Sequence, residues 1–572
     1  MRKNVIHKIV IFIFIFLALG ILNIEVIQGK KFTELSNKNC IRLIPQEGSR
    51  GRIFDRHGNI IVNNYLSYNV TILPEDPSRI DKTLMGAAKI LGRDFQDLKY
   101  TLLGNYRSSF IPVTIAKNID IKKAIALEEL RQDLDNMMIH PYPLRYYPYG
   151  ALACHLLGYL DEIDRWRLTK LMDYGYKTKD IVGFGGIEEK YDYYLRQEEG
   201  GLSVQVDHNG RLINVLGFKP PRNGKDIQLT VDLKIQKIAE KSLGQRNGSI
   251  IIMDPYSGEI IAMANSPNFD PAVFSNKPSS SVLNLLDNPG APLINRAISG
   301  VYPAGSVFKL VVATGALETG KINLSTTFFC PGHTYIGKQE FSCWDTHNQQ
   351  NLITAIMDSC NVFFYKTGLL IGPQSIYDYA VKFGFSKPTA IDLPYEASGF
   401  LPSVLLKKVY KFKNWFDGDT ANLSIGQGDL LVTPIQIARM MTVFANKGNL
   451  VTPYIVKAID SQDLSRLKKK SIALSLKEST INYIRQGLRK VVSEPKGTAN
   501  ILSGLPVSVA GKTGTAQVSR GQPHGWFAGF FPFENPQFVI CVFLEHGGSG
   551  HASAAVAKQI IENMISEGLL RG

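Results

Sequence analysis

The stretch Tyr302-Pro303-Ala304-Gly305-Ser306-Val307-Phe308-Lys309-Leu310-Val311-Val312-Ala313 decides the fold. Gly followed by Ser marks a helix start, and the apolar run behind it predicts a buried helix. Ser306 and Lys309 stand at i and i+3, one turn apart on one face. A serine oxygen at a helix N-terminus gains from the dipole when it becomes anionic. A lysine in an apolar helix is desolvated, which lowers its pKa and suits it to act as a base. The same Ser-x-x-Lys spacing recurs at Ser465-Arg466-Leu467-Lys468 and Ser493-Glu494-Pro495-Lys496. The first lies in a basic run and reads as a solvated face. The second holds a proline that breaks the required turn. For Ser306 alone, a helix cap beside a snorkelling lysine is the alternative.

Two further motifs bear on it. Ser359-Cys360-Asn361 follows an amphipathic helix and precedes the apolar Val362-Phe363-Phe364-Tyr365. A hydroxyl and an amide aimed from a loop into one cavity can relay a proton and orient a peptide amide. Ser-x-Asn also occurs at Ser67 to Asn69 and Ser266 to Asn268, so the tripeptide carries little by itself. Lys512-Thr513-Gly514-Thr515 falls inside an expected strand over 507–518. Glycine there permits close backbone approach by a ligand, and the Lys and Thr can bind a carboxylate. Lys366-Thr367-Gly368 is a decoy, set in a helical stretch without an edge strand.

Around these motifs, a strand and helix are expected over 226–243. Segments 249–254 and 259–265 flank Pro255-Tyr256-Ser257-Gly258 as a hairpin. Three apolar strands follow near the C-terminus (507–518, 526–532, 538–545), then a closing helix over 552–569. The fold class is α+β, an antiparallel sheet whose helical part is inserted mid-chain. Upstream, helices are expected over 82–103 and 120–135. Arg145-Tyr146-Tyr147-Pro148-Tyr149-Gly150 precedes an apolar segment with His155. Gly183-Phe184-Gly185-Gly186-Ile187-Glu188 reads as a turn with capping and not a phosphate loop, because no strand is expected before it and no Lys-Ser/Thr follows. Pro220-Pro221-Arg222-Asn223-Gly224 marks a domain boundary.

The chain has 572 residues, 44% apolar and 20% charged, which excludes a mainly disordered protein. Its net charge of +14 favours anionic partners. Residues 1–8 carry Arg2, Lys3 and Lys8 and no acid; 9–22 are apolar or glycine, with a weaker stretch to Ile27. This predicts one membrane span with the N-terminus inside and the rest exported. A cleaved signal peptide is the alternative, but Ala18-Leu19-Gly20 lies inside the apolar run instead of after it. Export makes nucleic acid an unexpected partner.

Taken jointly, the order Ser306-x-x-Lys309, Ser359-x-Asn361, Lys512-Thr513-Gly514 resembles the penicillin-recognising serine acyltransferases. Arg50-Gly51-Arg52-Ile53-Phe54-Asp55-Arg56, Gly185-Gly186-Ile187-Glu188, Asp254-Pro255-Tyr256-Ser257-Gly258 and Ser424-Ile425-Gly426-Gln427-Gly428 extend the resemblance to class B penicillin-binding proteins. Tyr302 to Ser306, Phe363-Phe364-Tyr365 and Gly511 to Gln517 look like the elongation type, not the division type. Leu310 departs from the class, which often has Pro there. The resemblance implies a tail (1–8), a transmembrane helix (9–28), a pedestal (29–225) and a transpeptidase domain (226–572). It implies a peptidoglycan D,D-transpeptidase in the inner membrane, its bulk in the periplasm, inhibited covalently by β-lactams. Ser306 would be the nucleophile and Lys309 the base. Ser359 and Lys512 would relay the proton, and Asn361 would hold Lys309 and the substrate amide. The Ser306 and Thr515 backbone N–H groups would form the oxyanion hole. Thr513 and Thr515, flanking Gly514, would hold the terminal carboxylate. A membrane-embedded glycosyltransferase is the implied partner. The alternatives are a D,D-carboxypeptidase or β-lactamase of the superfamily, a β-lactam sensor, or an idle scaffold. Intact motif residues argue against the last.

Cys330, Cys343, His347 and Cys360 form a separate signal. Three thiols and an imidazole suit a structural tetrahedral zinc. A Cys330–Cys343 disulfide and plain buried cysteines are the alternatives. His333 is a spare ligand candidate, expected in a solvated loop. Cys40, Cys154 and Cys541 read as structural. The chemistry itself requires no cofactor.

Overall fold

The computed structural model describes residues 2–74, 77–106, 112–130, 136–206, 212–276 and 279–570. The chain divides into two compact units.

The first unit comprises residues 1–51, 64–144 and 196–224. Residues Asn4–Ile27 form a helix long and apolar enough to cross a membrane, with none of its apolar window buried in protein. Strands Ile41–Gln46, Gly200–Val206 and Leu212–Lys219 make an antiparallel sheet in that order. A separate small core joins Val70, Ile72, Leu84, Leu98 and Leu127. The single helix expected over 82–103 is two helices, Pro77–Leu91 and Phe95–Asn105. Asp94 separates them: it is extended, and its carboxylate accepts from Gln96 N, starting a new helix. The helix expected over 120–135 is Ile121–Glu129, capped by Asp120; residues 131–135 lie outside the described residues, as does the side chain of Cys40.

The second unit comprises residues 52–63, 145–195 and 225–572. Its centre is a five-stranded antiparallel sheet of β1 (Gly248–Met253), β2 (Ile260–Ser266), β3 (Ala510–Ala516), β4 (His524–Phe531) and β5 (Phe538–Leu544). The spatial order is β2-β1-β5-β4-β3, so β1 from before the helical insertion pairs with β5 from after it, and β3 is an edge. Every residue of β1 is buried, so both faces are covered. Helices Leu233–Leu243, Pro434–Ala445 and Gly550–Ser566 pack on the sheet. Between β2 and β3 run the helices that carry the motifs, α1 (Lys309–Glu318) and α2 (Asn361–Lys382), packed on each other. Lys309 through Leu317 are all buried. Each large apolar side chain there contributes about 1.5–3 kcal/mol of burial.

One expectation is corrected here. A strand, Ile181–Phe184, does lead into the Gly185-Gly186 segment, paired with Tyr159–Glu162. Its glycine content hid it. Gly183 and Gly186 are there because backbone crowds them: a Cβ on Gly183 would stand 1.9 Å from Glu188 O. The fully buried Glu188 of this turn takes Arg145 Nε at 2.7 Å. Stranding either charge would cost about 3–5 kcal/mol, so the tyrosine-rich segment at 145 and the glycine turn are locked together.

Candidate active site

Ser306 lies in a 3-10 turn, Gly305–Phe308, that runs straight into α1. Three contacts pin that turn. Gly305 N donates to Gly426 O at 2.8 Å, and Tyr302 and Val432 exchange backbone hydrogen bonds at 2.9 and 2.8 Å. Trp526 Nε1 on β4 donates to Pro303 O at 3.0 Å. Gly305 and Gly426 both have left-handed φ, and a Cβ on Gly426 would stand 2.1 Å from Gly305 O. The segment from Ser424 to Gly428 is thus the backbone wall behind Ser306, which requires glycine at the contact.

Lys309 is fully buried. Its ammonium donates to Ser359 O at 2.7 Å and Asn361 Oδ1 at 2.7 Å, with Ser359 Oγ at 3.4 Å. Ser359 adopts φ +54°, uncommon for a non-glycine residue. Ser359 sits in the short turn before α2, as expected, but Asn361 does not sit in a loop. Cys360 caps α2, its Sγ accepting from Phe363 N, and Asn361 is the first helical residue. Burial lowers the Lys309 pKa to about 8, against the opposing pull of Cys343 and Cys360.

Lys512 is also fully buried, on β3, and donates to Thr513 O at 3.1 Å. Burial first, and the nearby Lys309 charge second, push it well below the usual lysine value, with Asp358 opposing. Thr513 Oγ1 shares a 2.6 Å hydrogen bond with Thr498 Oγ1, and Thr515 Oγ1 accepts from Gly550 N at 3.1 Å. Gly514, between them, faces Trp526 in register. Ser306, Ser359, Asn361, Thr513 and Thr515 line one cleft of about 760 Å³, with Lys309 and Lys512 buried beside it. Motifs far apart in the chain therefore converge.

The decoys stay apart from this cleft. Ser465 is on the short helix Ser465–Lys468, and Ser493 is exposed at the end of helix Glu478–Ser493. Ser67 lies within strand Ile60–Ile72, Ser266 ends β2, and Lys366-Thr367-Gly368 is inside α2. Sequence reading missed Thr498, Gly550 and the hairpin of His333–Ile336 with Gln339–Ser342, whose second strand lines the cleft. Only the glycine-dense Gly547-Gly548-Ser549-Gly550 offered a signal.

Cys330, Cys343, His347 and Cys360 converge, their ligand atoms all within 4.8 Å of one another. The four could hold a metal ion. Cys330 and Cys343 are free thiols, each facing His347 Nδ1, at 3.6 and 3.4 Å. Asn361 N donates to Cys343 Sγ at 3.1 Å. The Cys360 hydrogen bond, then that of His347, holds the Cys343 thiol far below its ordinary value, while the same pairing raises Cys360. Burial disfavours charge on His347, but the two thiols outweigh it and raise it to about 9. His333 stands on a hairpin strand against Tyr335, not in a loop, and is not one of the four. Cys154 and Cys541 are buried, which pushes both thiols up.

A serine at a helix start, a buried lysine, a Ser-x-Asn helix cap and a Lys-Thr-Gly edge strand define the penicillin-recognising acyl-transfer class. Residues 248–562 match the penicillin binding protein transpeptidase domain, and residues 45–229 the penicillin-binding protein dimerisation domain. The chain belongs to the penicillin-binding protein transpeptidase family, and it is an enzyme of that class. Within it the chain is similar to penicillin-binding protein 2. It is 31% identical to the peptidoglycan D,D-transpeptidase MrdA of Salmonella typhimurium, covering 99% of this chain and 96% of that one. The structure of penicillin-binding protein 2 (PBP2) in complex with MreC from Helicobacter pylori superposes with a TM-score of 0.83 at 27% identity, over 93% of this chain and 99% of that one. A structure titled for the coordination of polymerization and crosslinking by a peptidoglycan synthase complex matches at a TM-score of 0.75 and 26% identity, over 100% and 99% of the two chains.

Proposed function

We propose that Ser306 is the acyl-enzyme nucleophile of a peptidoglycan D,D-transpeptidase. The observation that carries the roles is the buried Lys309 held between Ser359 and Asn361, one turn from Ser306. Ser306 Oγ attacks the carbonyl between two terminal D-Ala residues and gives its proton to neutral Lys309. The C–N bond then breaks, and the proton passes through Ser359 and Lys512 to the departing D-Ala amine. Asn361 holds Lys309 and the substrate amide. The N–H groups of Ser306 and Thr515 receive the oxyanion. Thr513 and Thr515 take the terminal carboxylate. An amine of a second stem peptide attacks the ester, forms the cross-link and restores Ser306. A fluorescent penicillin, opened by the same serine, is the direct test: the label maps to the peptide containing Ser306.

The Cys330, Cys343, His347 and Cys360 cluster fits zinc. A tetrahedral site with about 2.3 Å Zn–S and 2.0 Å Zn–N bonds has S···N edges near 3.5 Å, close to the observed 3.4 and 3.6 Å. Cys330, Cys343, His347 Nδ1 and Cys360 would hold the ion, which would supply structure by closing four ligands with no position for water. It ties the segment after α1 to the Ser359-Cys360-Asn361 turn. Purified protein is expected to contain about one zinc per chain by elemental analysis. Cys330→Ser is expected to lower the melting temperature by about 5 °C or more, and to slow acylation only through Ser359 and Asn361. Metal-free protein with a Cys330–Cys343 disulfide would overturn this.

The dimerisation-domain match and the boundary at 220–224 support a pedestal over 29–225 and a transpeptidase domain over 226–572. The apolar helix anchors the chain in the inner membrane, with the basic N-terminus inside and residues 29–572 in the periplasm. The glycan is supplied by a membrane-embedded glycosyltransferase of the elongation machinery, a pairing supported by the synthase-complex structure. An MreC-like protein is a second partner, supported by the Helicobacter complex. Depletion in a rod-shaped host is expected to give round cells, and protease added to spheroplasts to digest nearly all of the chain. Long filaments would point to division, and full protection would reverse the topology.

A further inference from the structure

We infer that Glu340 recognises the acceptor, holding the cationic amine of the incoming peptide beside the acyl-enzyme. The inference rests on the transpeptidase reading above. Among the described residues that line the cleft, Glu340 is the only carboxylate. It lies on a short hairpin strand, Gln339–Ser342, two residues from Ser342, so both side chains leave one face of the strand. The backbone O of Ser342 is held by Asn361 Nδ2 at 3.4 Å and Tyr365 OH at 3.3 Å, which fixes the hairpin to the wall that carries Asn361. The base is closed by Cys343 N donating to Gly332 O at 2.7 Å. Across the hairpin, Tyr335 OH donates to Glu340 Oε2 at 3.2 Å. Among the described residues, Oε1 has no hydrogen-bond partner and Glu340 is in no ion pair with a Lys or Arg.

An acid exposed in this cleft repels a donor's terminal carboxylate and attracts a cation, which separates the two substrates by charge. The donor's carboxylate is served from β3, at Thr513 and Thr515. The acceptor arrives as an ammonium, R–NH3+. It docks on Glu340 and loses one proton to water in the open cleft. The neutral amine then attacks the ester carbon. The C–N bond forms, the C–Oγ bond breaks, and one N–H proton passes by way of Lys309 to Ser306 Oγ. Glu340 gains and loses no proton in this sequence.

The test uses full-length enzyme, a D-Ala-D-Ala-terminated peptide donor and Nα-acetyl-lysine amide as acceptor. For Glu340→Gln we expect the acceptor KM to rise about fivefold, the upper scale of one exposed charge pair. The kcat for aminolysis, and acylation by fluorescent penicillin, should stay within about twofold of wild type. Glu340→Asp should recover part of the loss, and added salt should narrow the gap between wild type and Glu340→Gln. An unchanged acceptor KM in Glu340→Gln overturns the inference. So does an equal loss of acylation and aminolysis, the mark of a merely structural hairpin. Wild-type protein that takes no penicillin label would overturn the serine reading together with this one.

Discussion

Ser306→Ala is expected to abolish covalent labelling by penicillin. Acylation needs an oxygen nucleophile, and alanine has none, so the rate should fall by at least about 10⁴-fold. The fold should survive the change. The turn is held by backbone contacts of Gly305 and Tyr302 and by the Trp526 indole, none of which involves the Ser306 side chain. A melting temperature close to wild type, together with loss of label, is therefore the expected pair of results. Ser465 and Ser493 cannot substitute, since neither has a buried lysine beside it: Lys468 pairs with Asp392, and Lys496 is exposed. Label retained in Ser306→Ala, or mapped to either of those serines, would refute the assignment.

What could be read in the sequence, and what could not, divides along a physical line. Ser306 and Lys309 are one helical turn apart, so period alone puts them together. The strands at both chain ends showed as apolar runs, and β1, β4 and β5 lie within a residue or two of expectation. The contact of Lys309 with Ser359 is tertiary, and no local pattern reports it; the joint order of three motifs did. Thr498 and Gly550 gave no periodic signal because they act by one hydroxyl in a turn and one backbone N–H at the first residue of the closing helix. The hairpin carrying Glu340 was hidden for a related reason: its four-residue strands are too short for alternation to register. The break at Asp94 was misread because the apolar period continues on either side of it, and capping chemistry overrode the pattern.

The penicillin acylation rate of the wild-type enzyme is expected to rise with pH through about 8 and level off above it. The sign follows from Lys309. Only its neutral amine can take the Ser306 proton, and burial holds its pKa near 8, well below that of an exposed lysine. Two pH units below that value about 1% of the amine is neutral, so acylation at pH 6 should be about 100-fold slower than on the plateau. Lysine left at its ordinary pKa would place the limb near 10.4, so the position of the limb separates a desolvated base from an exposed one. Lys512 is likewise pushed well below the usual lysine value, by burial first and by the Lys309 charge second, so two adjacent ammonium ions are disfavoured in the same buried space. Lys309→Ala should remove the limb and lower acylation by about 10²–10⁴, the usual worth of a general base. Stopped-flow rates with a chromogenic penicillin, taken from pH 5.5 to 10, measure both effects. A flat profile for wild type, or a Lys309→Ala enzyme that acylates within tenfold of wild type on the plateau, would move the role of base to another group in the cleft.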